Sequence, residues 1–339
     1  MIKRLDSSSF ERWDNYVRQS EQGTFFHLSG WKQLVEKVFS HSTYYLYVEE
    51  NGKITGVLPL VHVKSLLFGN ALVSNAFCVY GGIIADDDAT FQKLDKEACR
   101  LAGELGVDHL EMRNQVQMTP DRPFKDLYVT FRKELDPEEE KNLQAIPRKQ
   151  RAMVRKGIKA GLISVVDENI DRFFSAYSES VRNLGTPVLP KKYFQALKDI
   201  FKDQCEILTI EHNGKLVSSV MNFYFRDQVL PYYGGGTEQA RAVKANDFMY
   251  WEVMRRAVAK GIKIFDFGRS KIGTGSYKFK RHWGFEPEPL YYEFHLVNTD
   301  ALPDINPLNP KYQMFISAWK RLPLAVSQTI GPWLAKDLA

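Results

Sequence analysis

The sequence is poor in the residues that build metal sites and disulfide frameworks. It has three cysteines, Cys78, Cys99 and Cys205, which are far apart and form no CxxC pair. We therefore predict neither a metal site nor disulfides, and a reducing compartment is the simplest interpretation. No apolar run approaches the roughly 20 residues of a membrane-spanning helix, and the stretch after Met1 lacks the apolar segment of a secretory signal. A cytoplasmic protein is expected.

Several catalytic signatures are absent as well. The chain contains no GxxxxGK(S/T) phosphate loop, no HExxH motif and no GxSxG nucleophile elbow, so the enzyme classes that these motifs mark are not predicted. The net charge of +5 is mildly positive, which suits anionic small molecules, a membrane surface or RNA without choosing among them. With 339 residues, 44% of them hydrophobic, the chain can form two globular domains of about 150 residues each.

What the sequence does contain is an internal repeat. A Gly-Thr pair at Gly23 recurs at Gly185, and an Asn-Gly pair at Asn51 recurs at Asn213, in both cases 162 residues later. An Asn-Gly pair between two β-rich runs is typical of a type I′ hairpin turn. Each copy then continues through a long amphipathic helix to a strand. We therefore predict a tandem duplication of one mixed α/β unit, ordered helix, helix, hairpin, long helix, strand.

The repeat and the positions of the prolines suggest domain boundaries. We predict a first domain over residues 1–145, a second over 146–300, and a proline-rich linker with an amphipathic tail over 301–339. The tail carries large apolar residues, among them Trp319, Ile330 and Trp333, with a few lysines and arginines. Two interpretations of the tail stay open: peripheral contact with a membrane surface, and docking on the protein's own core.

The second predicted domain begins with a strongly basic segment. Arg148, Arg151, Arg155 and Lys159 are three and four residues apart, which places them on one face of a helix. No acidic residue occurs from residue 148 to residue 160. The segment is either a solvated surface beside a domain junction or a contact for a polyanion, such as phosphate groups or RNA.

A second cationic cluster follows a strand that is predicted to be buried. The strand Ile264-Phe-Asp-Phe267 is apolar around Asp266, and the glycines after it let the backbone approach a ligand closely. The pattern predicts either a site for an anionic ligand or a solvated loop over an aromatic plug. Strand alternation over 278–280 would place the two lysines of that segment on one face and Phe279 on the other. Five basic residues fall within thirteen positions here: Arg269, Lys271, Lys278, Lys280 and Arg281.

The duplicated unit resembles the FemAB-type family of peptidoglycan-bridge aminoacyltransferases, which are built from two GNAT-like (acyl-CoA N-acyltransferase) domains. The resemblance covers nearly the whole chain. It rests on the basic segment 148–162, on Tyr232-Tyr-Gly-Gly-Gly, on Phe265-Asp-Phe-Gly and on Phe279-Lys-Arg-His-Trp-Gly-Phe. The longer sequence from Asp266 to Pro287, with the tail motifs Trp319-Lys-Arg-Leu-Pro-Leu and Ile330-Gly-Pro, looks most like the branch of this family that is associated with exosortase and exopolysaccharide systems.

This resemblance implies a mixed α/β fold and a metal-free transfer of an aminoacyl group from charged tRNA to an amine on a cell-envelope precursor. It makes Lys280, in the Phe-Lys element, the expected catalytic residue, with Lys278 as its local rival. An ammonium group there can stabilise the charge that develops on the carbonyl oxygen, or it can hold a phosphate of the donor. The expected substrate-binding residues are Arg269, Tyr233, Gly234, Gly235, Trp31, Tyr80, Arg148, Arg151 and Arg155.

The chain departs from the family pattern at three places. The segment from Gly161 to Pro190 has no room for the coiled-coil arm of some members, and the CoA signature Arg/Gln-x-x-Gly-x-Gly/Ala is missing after Gly236. Val35 stands one turn after Trp31, where members that bind a uridine-linked muramyl peptide tend to have a lysine. The donor, aminoacyl-tRNA or acyl-CoA, and the acceptor, a peptidoglycan or exopolysaccharide precursor, therefore stay open. Two other functions also stay open: an acyl-CoA-dependent N-acyltransferase of an amino sugar, and a non-catalytic binding module of a polysaccharide-assembly system.

Overall fold

The computed structural model describes residues 1–65, 68–303 and 310–338. The α-helices of this part are α1 (Phe10–Gln19), α2 (Gly30–Phe39), α3 (Asp88–Leu105), α4 (Glu139–Ala145), α5 (Arg148–Lys159), α6 (Asp171–Leu184), α7 (Lys191–Phe201), α8 (Ala240–Val243), α9 (Ala245–Ala259), α10 (Gly275–His282), α11 (Pro310–Trp319) and α12 (Leu324–Ala335). Its strands are β1 (Ile2–Arg4), β2 (Ser42–Thr43), β3 (Leu46–Glu50), β4 (Lys53–Leu58), β5 (Val61–Ser65), β6 (Gly69–Ser74), β7 (Ile84–Ala85), β8 (His109–Asn114), β9 (Phe124–Lys125), β10 (Tyr128–Glu134), β11 (Ile163–Asp167), β12 (Cys205–His212), β13 (Lys215–Phe225), β14 (Gln228–Gly236), β15 (Ile264–Asp266), β16 (Ser270–Lys271), β17 (Pro287–Pro289) and β18 (Tyr291–Leu296).

The predicted duplication is confirmed. The order α1, α2, β3–β4 hairpin, α3, β8 in the first half recurs as α6, α7, β12–β13 hairpin, α9, β15 in the second. Both hairpins turn at the expected Asn-Gly pair. Asn51 and Gly52 have φ values of 50° and 77°, and Asn213 and Gly214 have values of 51° and 71°. Two consecutive positive φ values define the type I′ turn, and Asn and Gly are the residues that adopt them at least cost.

The first unit has two sheets and a core beneath α3. One sheet has the strand order β1-β3-β4-β7 and the other has the order β2-β5-β6-β8-β18-β9, in which β6 and β8 are parallel. Helix α3 begins at a cap from Asp87, whose carboxylate accepts from the Thr90 backbone N–H at 2.7 Å. Its buried face, with Leu94, Ala98 and Leu101, packs on the strands.

The second unit is a single twisted sheet with helices on both faces. Its strand order is β11-β12-β13-β14-β15-β10-β16, with β17 paired to β10. Two neighbouring glycines of β14 show which helices cover the two faces of the sheet. A Cβ on Gly235 would meet α6, at 2.8 Å from the Tyr177 Cα, whereas one on Gly234 would meet α9, at 3.1 Å from the Tyr250 hydroxyl. Successive strand residues point to opposite faces, so α6 and α9 cover opposite sides of the sheet.

The two compact units differ from the predicted linear domains. The first unit consists of the described parts of 1–128, 289–305 and 336–339, and the second of those of 129–288 and 306–335. The first domain therefore ends earlier than the predicted residue 145. Strand β18, predicted within the second domain, pairs with β8 of the first unit from Tyr291–Asn114 to Leu296–His109. A linear boundary cannot represent a chain that returns to its first sheet in this way.

The tail forms two helices. Of the predicted linker prolines, Pro303 is described, Pro310 begins α11, and Pro307 lies outside the described residues. Helix α12 packs on α6: Gln328 Nε2 donates to Ser178 Oγ at 2.8 Å, and a Cβ on Gly331 would lie 3.0 Å from the Val188 nitrogen. In the ranges that the structure covers, no helix is both long enough and apolar enough to cross a membrane.

Candidate functional site

Two parallel strands of the second sheet pair at their start and then diverge. Strands β14 and β15 pair only at Gln228–Ile264 and Val229–Phe265, after which β14 continues to Gly236 while β15 ends at Asp266. Aromatic rings lie beside this divergence. The Tyr250 ring of α9 is 4.9 Å from that of Phe267, just after β15, and 5.6 Å from that of Phe279 on α10. The residues of the cationic loop follow directly after β15, so the loop begins where the pairing of β14 with β15 has ended.

Lys280 lies in the interior of the second unit, near these aromatic rings. The segment expected to be a strand is helix α10, which begins after Thr274, whose hydroxyl accepts from the Tyr277 N–H. That prediction was wrong, because the cap and a turn at Gly273 start a helix where alternation suggested a strand. On a helix, residues two apart point about 200° away from each other. Lys278 is accordingly exposed, whereas Lys280 is only 8% exposed.

The Lys280 ammonium is held by backbone oxygens. Its Nζ donates to the carbonyl of Gly268 at 2.9 Å and to that of Arg269 at 3.0 Å. The Phe131 and Phe267 ring centres are 5.6 and 5.9 Å away, within the range of a cation–π contact. Gly268 has φ +67°, which lets the loop turn its carbonyl toward the lysine. Lys280 therefore fixes the start of the cationic loop that the sequence marks.

Burial lowers the pKa of Lys280 to about 7, because the charged form loses hydration inside the protein. The neighbouring Asp266 carboxylate opposes this shift, and the Arg269 guanidinium adds to it. Asp266 also accepts a hydrogen bond from the Gly268 N–H at 2.7 Å. Near neutral pH the amine is thus present in both forms: the protonated form can stabilise an oxyanion, and the neutral form can accept a proton.

This burial predicts a pH-dependent stability. Between the folded pKa near 7 and the unfolded value of 10.5, the unfolded chain binds a proton at Lys280 that the folded chain does not. The free energy of unfolding should therefore rise with pH across that window, by about 2 kcal/mol from pH 7 to pH 9. Below about pH 6, Lys280 is protonated in both states, so it should add no pH dependence. Urea unfolding of wild type and Lys280→Met at several pH values measures it. The Lys280→Met protein should lose the increment and Lys278→Met should keep it; equal slopes in all three would contradict the assignment.

The glycines expected to contact substrate serve packing in this structure. The space of a Cβ on Gly235 is taken by α6, and that on Gly236 by Ala240 and the Asn246 side chain, each 2.7 Å away. Tyr233 is mostly buried, and its hydroxyl lies 2.9 Å from that of Tyr193. Gly234 faces the Tyr250 hydroxyl of α9. Of the predicted residues Tyr233, Gly234 and Gly235, it is Gly234 that borders Tyr250, and Gly235 does not suit a substrate contact because a helix backbone occupies its face.

Trp31 and Tyr80 also differ from their predicted role. Trp31 is fully buried in the first unit, and its indole N–H donates to the Phe25 carbonyl at 3.0 Å. Tyr80 is 2% exposed and its ring lies 5.6 Å from that of Phe26. No face of either ring is open to a substrate in this conformation. Both residues, expected to bind substrate, belong to an aromatic core. A single sequence does not distinguish such a core from a binding surface.

The basic segment forms helix α5, as predicted, with its cations outward. Val154 is fully buried, and Gly157 lets α5 approach α9 so closely that a Cβ would lie 2.8 Å from the Phe248 Cβ. Within the described residues, none of the six cations of α5 pairs with an acid; Arg151 donates to the Gln144 carbonyl at 2.9 Å. Arg148 and Arg155 are exposed. Helix α5 therefore packs on α9 through Val154 and Gly157 and presents a cationic surface on its other side.

Comparisons with known proteins identify the architecture. Residues 141–281 match the family model described as an acetyltransferase (GNAT) domain. A sequence search among curated proteins gives no match. Among solved structures, FemX superposes with a TM-score of 0.68 at 13% identity, covering 93% of this chain and 100% of that chain. A tandem GNAT protein from the clavulanic acid biosynthesis pathway superposes with a TM-score of 0.55 at 12% identity, covering 89% of this chain and 99% of that chain.

This chain has the tandem GNAT fold. L-PGS from Bacillus licheniformis shares it, with a TM-score of 0.50 at 12% identity over 89% of this chain and 96% of that chain. At such identities the likeness shows the fold alone. The predicted fold class, two GNAT-like domains with a helical tail, is confirmed, as is the resemblance to the FemAB type at the level of the fold. The exosortase-associated branch stays a prediction.

Within the tandem GNAT fold, the two units differ at corresponding positions. Glu111 of β8 stands where the repeat places Asp266 of β15. Glu111 is neutralised by Arg113, whose Nε lies 2.8 Å from its carboxylate, whereas Asp266 faces the buried amine of Lys280 and the N–H of Gly268. The loop after β8 also lacks the run of lysines and glycines that follows β15. The buried amine and the cationic loop of the second unit therefore have no counterpart at these positions of the first unit.

Two carboxylates of this unit were not among the predicted site residues. Asp266 binds the cationic loop, and Asp247, in the first turn of α9, accepts a hydrogen bond from Gln150 of α5. Burial raises the pKa of Asp247, and the hydrogen bond from Gln150 opposes that rise. Asp266 could have been recognised from the sequence, because a charged residue between two buried phenylalanines needs a partner inside the protein. No comparable signal marks Asp247, which looks like an ordinary first-turn acid in the sequence.

Proposed function

We propose that this protein is an N-acyltransferase that transfers an aminoacyl group from charged tRNA to an amine of a cell-envelope or exopolysaccharide precursor. The observation that carries the proposal is the buried Lys280 amine held by the loop that follows β15 in the second GNAT unit. The acyltransferase fold of residues 141–281 supports the reaction class. The choice of donor and acceptor comes from the resemblance to the FemAB type and from the charged surfaces described above.

The reaction needs stabilisation of charge at one oxygen. The acceptor nitrogen attacks the ester carbonyl of the donor, the new C–N bond forms, and the C–O bond to the ribose breaks. The proton leaves the amine and reaches the departing ribose oxygen. Between these steps the carbonyl oxygen is negative, and the Lys280 ammonium would stabilise it by a few kcal/mol in a site from which water is excluded. The loop carbonyls of Gly268 and Arg269 hold the amine in place beforehand.

Two observations favour charged tRNA over acyl-CoA as the donor. The outward face of α5 presents Arg148 and Arg155 without acidic partners in the described chain, as a contact for a nucleic-acid backbone requires. The amino-terminal turn of α9, where a helix can bind phosphate, carries the Asp247 carboxylate instead. A carboxylate there repels a pyrophosphate. The cytoplasmic location is a prediction from the sequence, and charged tRNA would be available there.

Acyl-CoA-dependent transfer to an amino sugar is the second candidate. It is favoured by the match of residues 141–281 to an acetyltransferase (GNAT) domain model and by the fold shared with the tandem GNAT protein from the clavulanic acid biosynthesis pathway. A non-catalytic binding module, docking through α5 on a polysaccharide-assembly system, is the remaining alternative. The ligand that the protein binds distinguishes the three.

Equilibrium binding to the whole protein tests the donor. Charged and uncharged tRNA and acetyl-CoA are each titrated against fluorescence of the protein, whose tryptophans include Trp283, 6.1 Å from the Phe267 ring. We expect micromolar affinity for tRNA at low salt, tighter when it is charged, and no competition from acetyl-CoA. Saturable binding of acetyl-CoA without tRNA binding would establish the second candidate instead. Equal affinity for charged and uncharged tRNA, with no CoA binding, would favour the binding module.

A further inference from the structure

Helix α12 exposes large apolar side chains that a helix on a protein surface normally buries. Its buried positions are small or polar, with Ser327, Gly331 and Ala335 against the second unit. Three of its large apolar residues, Val326, Ile330 and Trp333, are spaced by four and three residues and form one exposed stripe. The other two, Leu324 and Leu334, are half-buried. Trp333 is 63% exposed. An amphipathic helix of a water-soluble surface shows the reverse arrangement, so the exposed stripe needs an occupant.

The neighbouring helix adds apolar surface of the same kind. Met314 of α11 is 81% exposed, and Phe315 is exposed beside Trp319, on which its ring stacks at 5.4 Å. Packing inside the second unit does not explain these residues, because α11 already contacts it through Ile316, next to Gly185. Both tail helices thus use one side to dock and leave large apolar side chains on another.

The charge of the tail indicates what covers this surface. Between Asp304 and Asp337 the sequence has no acidic residue and four basic ones, Lys311, Lys320, Arg321 and Lys336. Lys320 and Arg321 are exposed in the turn between α11 and α12. An apolar stripe with a tryptophan and basic flanks is the composition of a helix that lies in the interface of an anionic bilayer. A second copy of this chain would bring the same positive charge to the contact, which disfavours it.

We propose that the outward stripe of α12, Val326, Ile330 and Trp333, inserts into the surface of a bilayer that contains anionic phospholipid. Lys320 and Arg321 contact the head groups. The docking interpretation of the tail is correct for its inner side, through Gln328 and Gly331, and the membrane interpretation applies to its outer side. The proposal stands on the tail alone and is independent of which acyl donor the second unit uses.

Flotation of the full chain with lipid vesicles tests this proposal. Vesicles of phosphatidylcholine are compared with vesicles in which part of it is replaced by phosphatidylglycerol. We expect binding to the anionic vesicles and a loss of about tenfold or more in the partition coefficient for the double variant Ile330→Ser, Trp333→Ser. Val116→Ser removes an apolar side chain that is 61% exposed in the first unit, and this control should float as wild type does. Replacing Lys320 and Arg321 by serine should weaken binding to the anionic vesicles only.

Three outcomes would overturn the proposal. The wild type could fail to float with either kind of vesicle, or the double variant could float as well as wild type. A dimer of the wild type that dissociates in the double variant would show that a second copy covers the stripe. Because the substituted side chains are exposed, unchanged circular dichroism and melting temperature of the variants are expected, and they ensure that loss of binding reports on the stripe.

Discussion

Replacing Lys280 by methionine should lower kcat for amide formation by roughly a hundredfold or more, the effect of losing an oxyanion-stabilising group. Methionine is close to lysine in length and suits the aromatic surroundings of Phe131 and Phe267, so the packing at this position should be kept. The substitution leaves the carbonyls of Gly268 and Arg269 without their donor, at a cost of about 1–3 kcal/mol if no water replaces it. Activity is therefore measured well below the melting temperature of the variant.

Lys278→Met is the matched control for this prediction. Lys278 belongs to the same helix and makes the same change of charge, but its side chain is exposed, so kcat should stay within about twofold of wild type. If Lys280 only holds a phosphate of the donor, Lys280→Met should instead raise KM and leave kcat nearly unchanged. Full activity of Lys280→Met with loss in Lys278→Met would assign the role to the exposed lysine. Full activity of both variants would contradict a catalytic role for either lysine and would leave Lys280 a structural role in the aromatic core.

Replacing Arg148 and Arg155 by alanine should weaken tRNA binding by about tenfold or more at low salt and flatten its salt dependence. Each phosphate contacted on a single strand contributes about −0.7 to the slope of log K against log salt. The slope should therefore become shallower by up to about 1.4 if each arginine meets one phosphate. Both side chains are exposed and without acidic partners in the described chain, so the fold should not change. Fluorescence titration over a range of salt concentrations measures the slope.

A control with the same loss of charge separates the α5 surface from the net charge of the protein. Lys192 and Lys215 are exposed elsewhere on the second unit, and their double alanine variant also removes two positive charges. It should shift the slope far less than the α5 variant does. The same slope in both variants, or an affinity for tRNA that does not depend on salt, would return α5 to the interpretation of a solvated surface.

The parts of the fold that were predictable from the sequence are those set by local chemistry. The hairpin turns at Asn51 and Asn213 follow from the positive φ values that Asn-Gly pairs adopt. The duplication followed because such local signals recur in one order. The basic face of α5 followed from helical spacing, since Arg148 and Arg155 fall on one side whatever the tertiary structure.

The parts that the sequence did not predict depend on contacts between distant segments. Nothing local indicates that β18 returns to pair with β8, or that α6 fills the space beside Gly235. Burial decided the site residues in the same way: Trp31 is enclosed by its neighbours, and Lys280 is buried while Lys278 is not. A cap at Thr274 changed the period of that segment from two to 3.6, and with it the face that each lysine occupies.

Formation of the amide itself tests the central claim most directly. The whole protein is incubated with a mixture of charged tRNAs and an extract of cell-envelope and exopolysaccharide precursors, and mass spectrometry follows the masses of the acceptors. The account predicts an acceptor heavier by one aminoacyl residue, formed by wild type and Lys278→Met, abolished by prior ribonuclease treatment, and reduced roughly a hundredfold with Lys280→Met. An unchanged set of acceptor masses with charged tRNA, or a product that forms equally well with Lys280→Met, would contradict it.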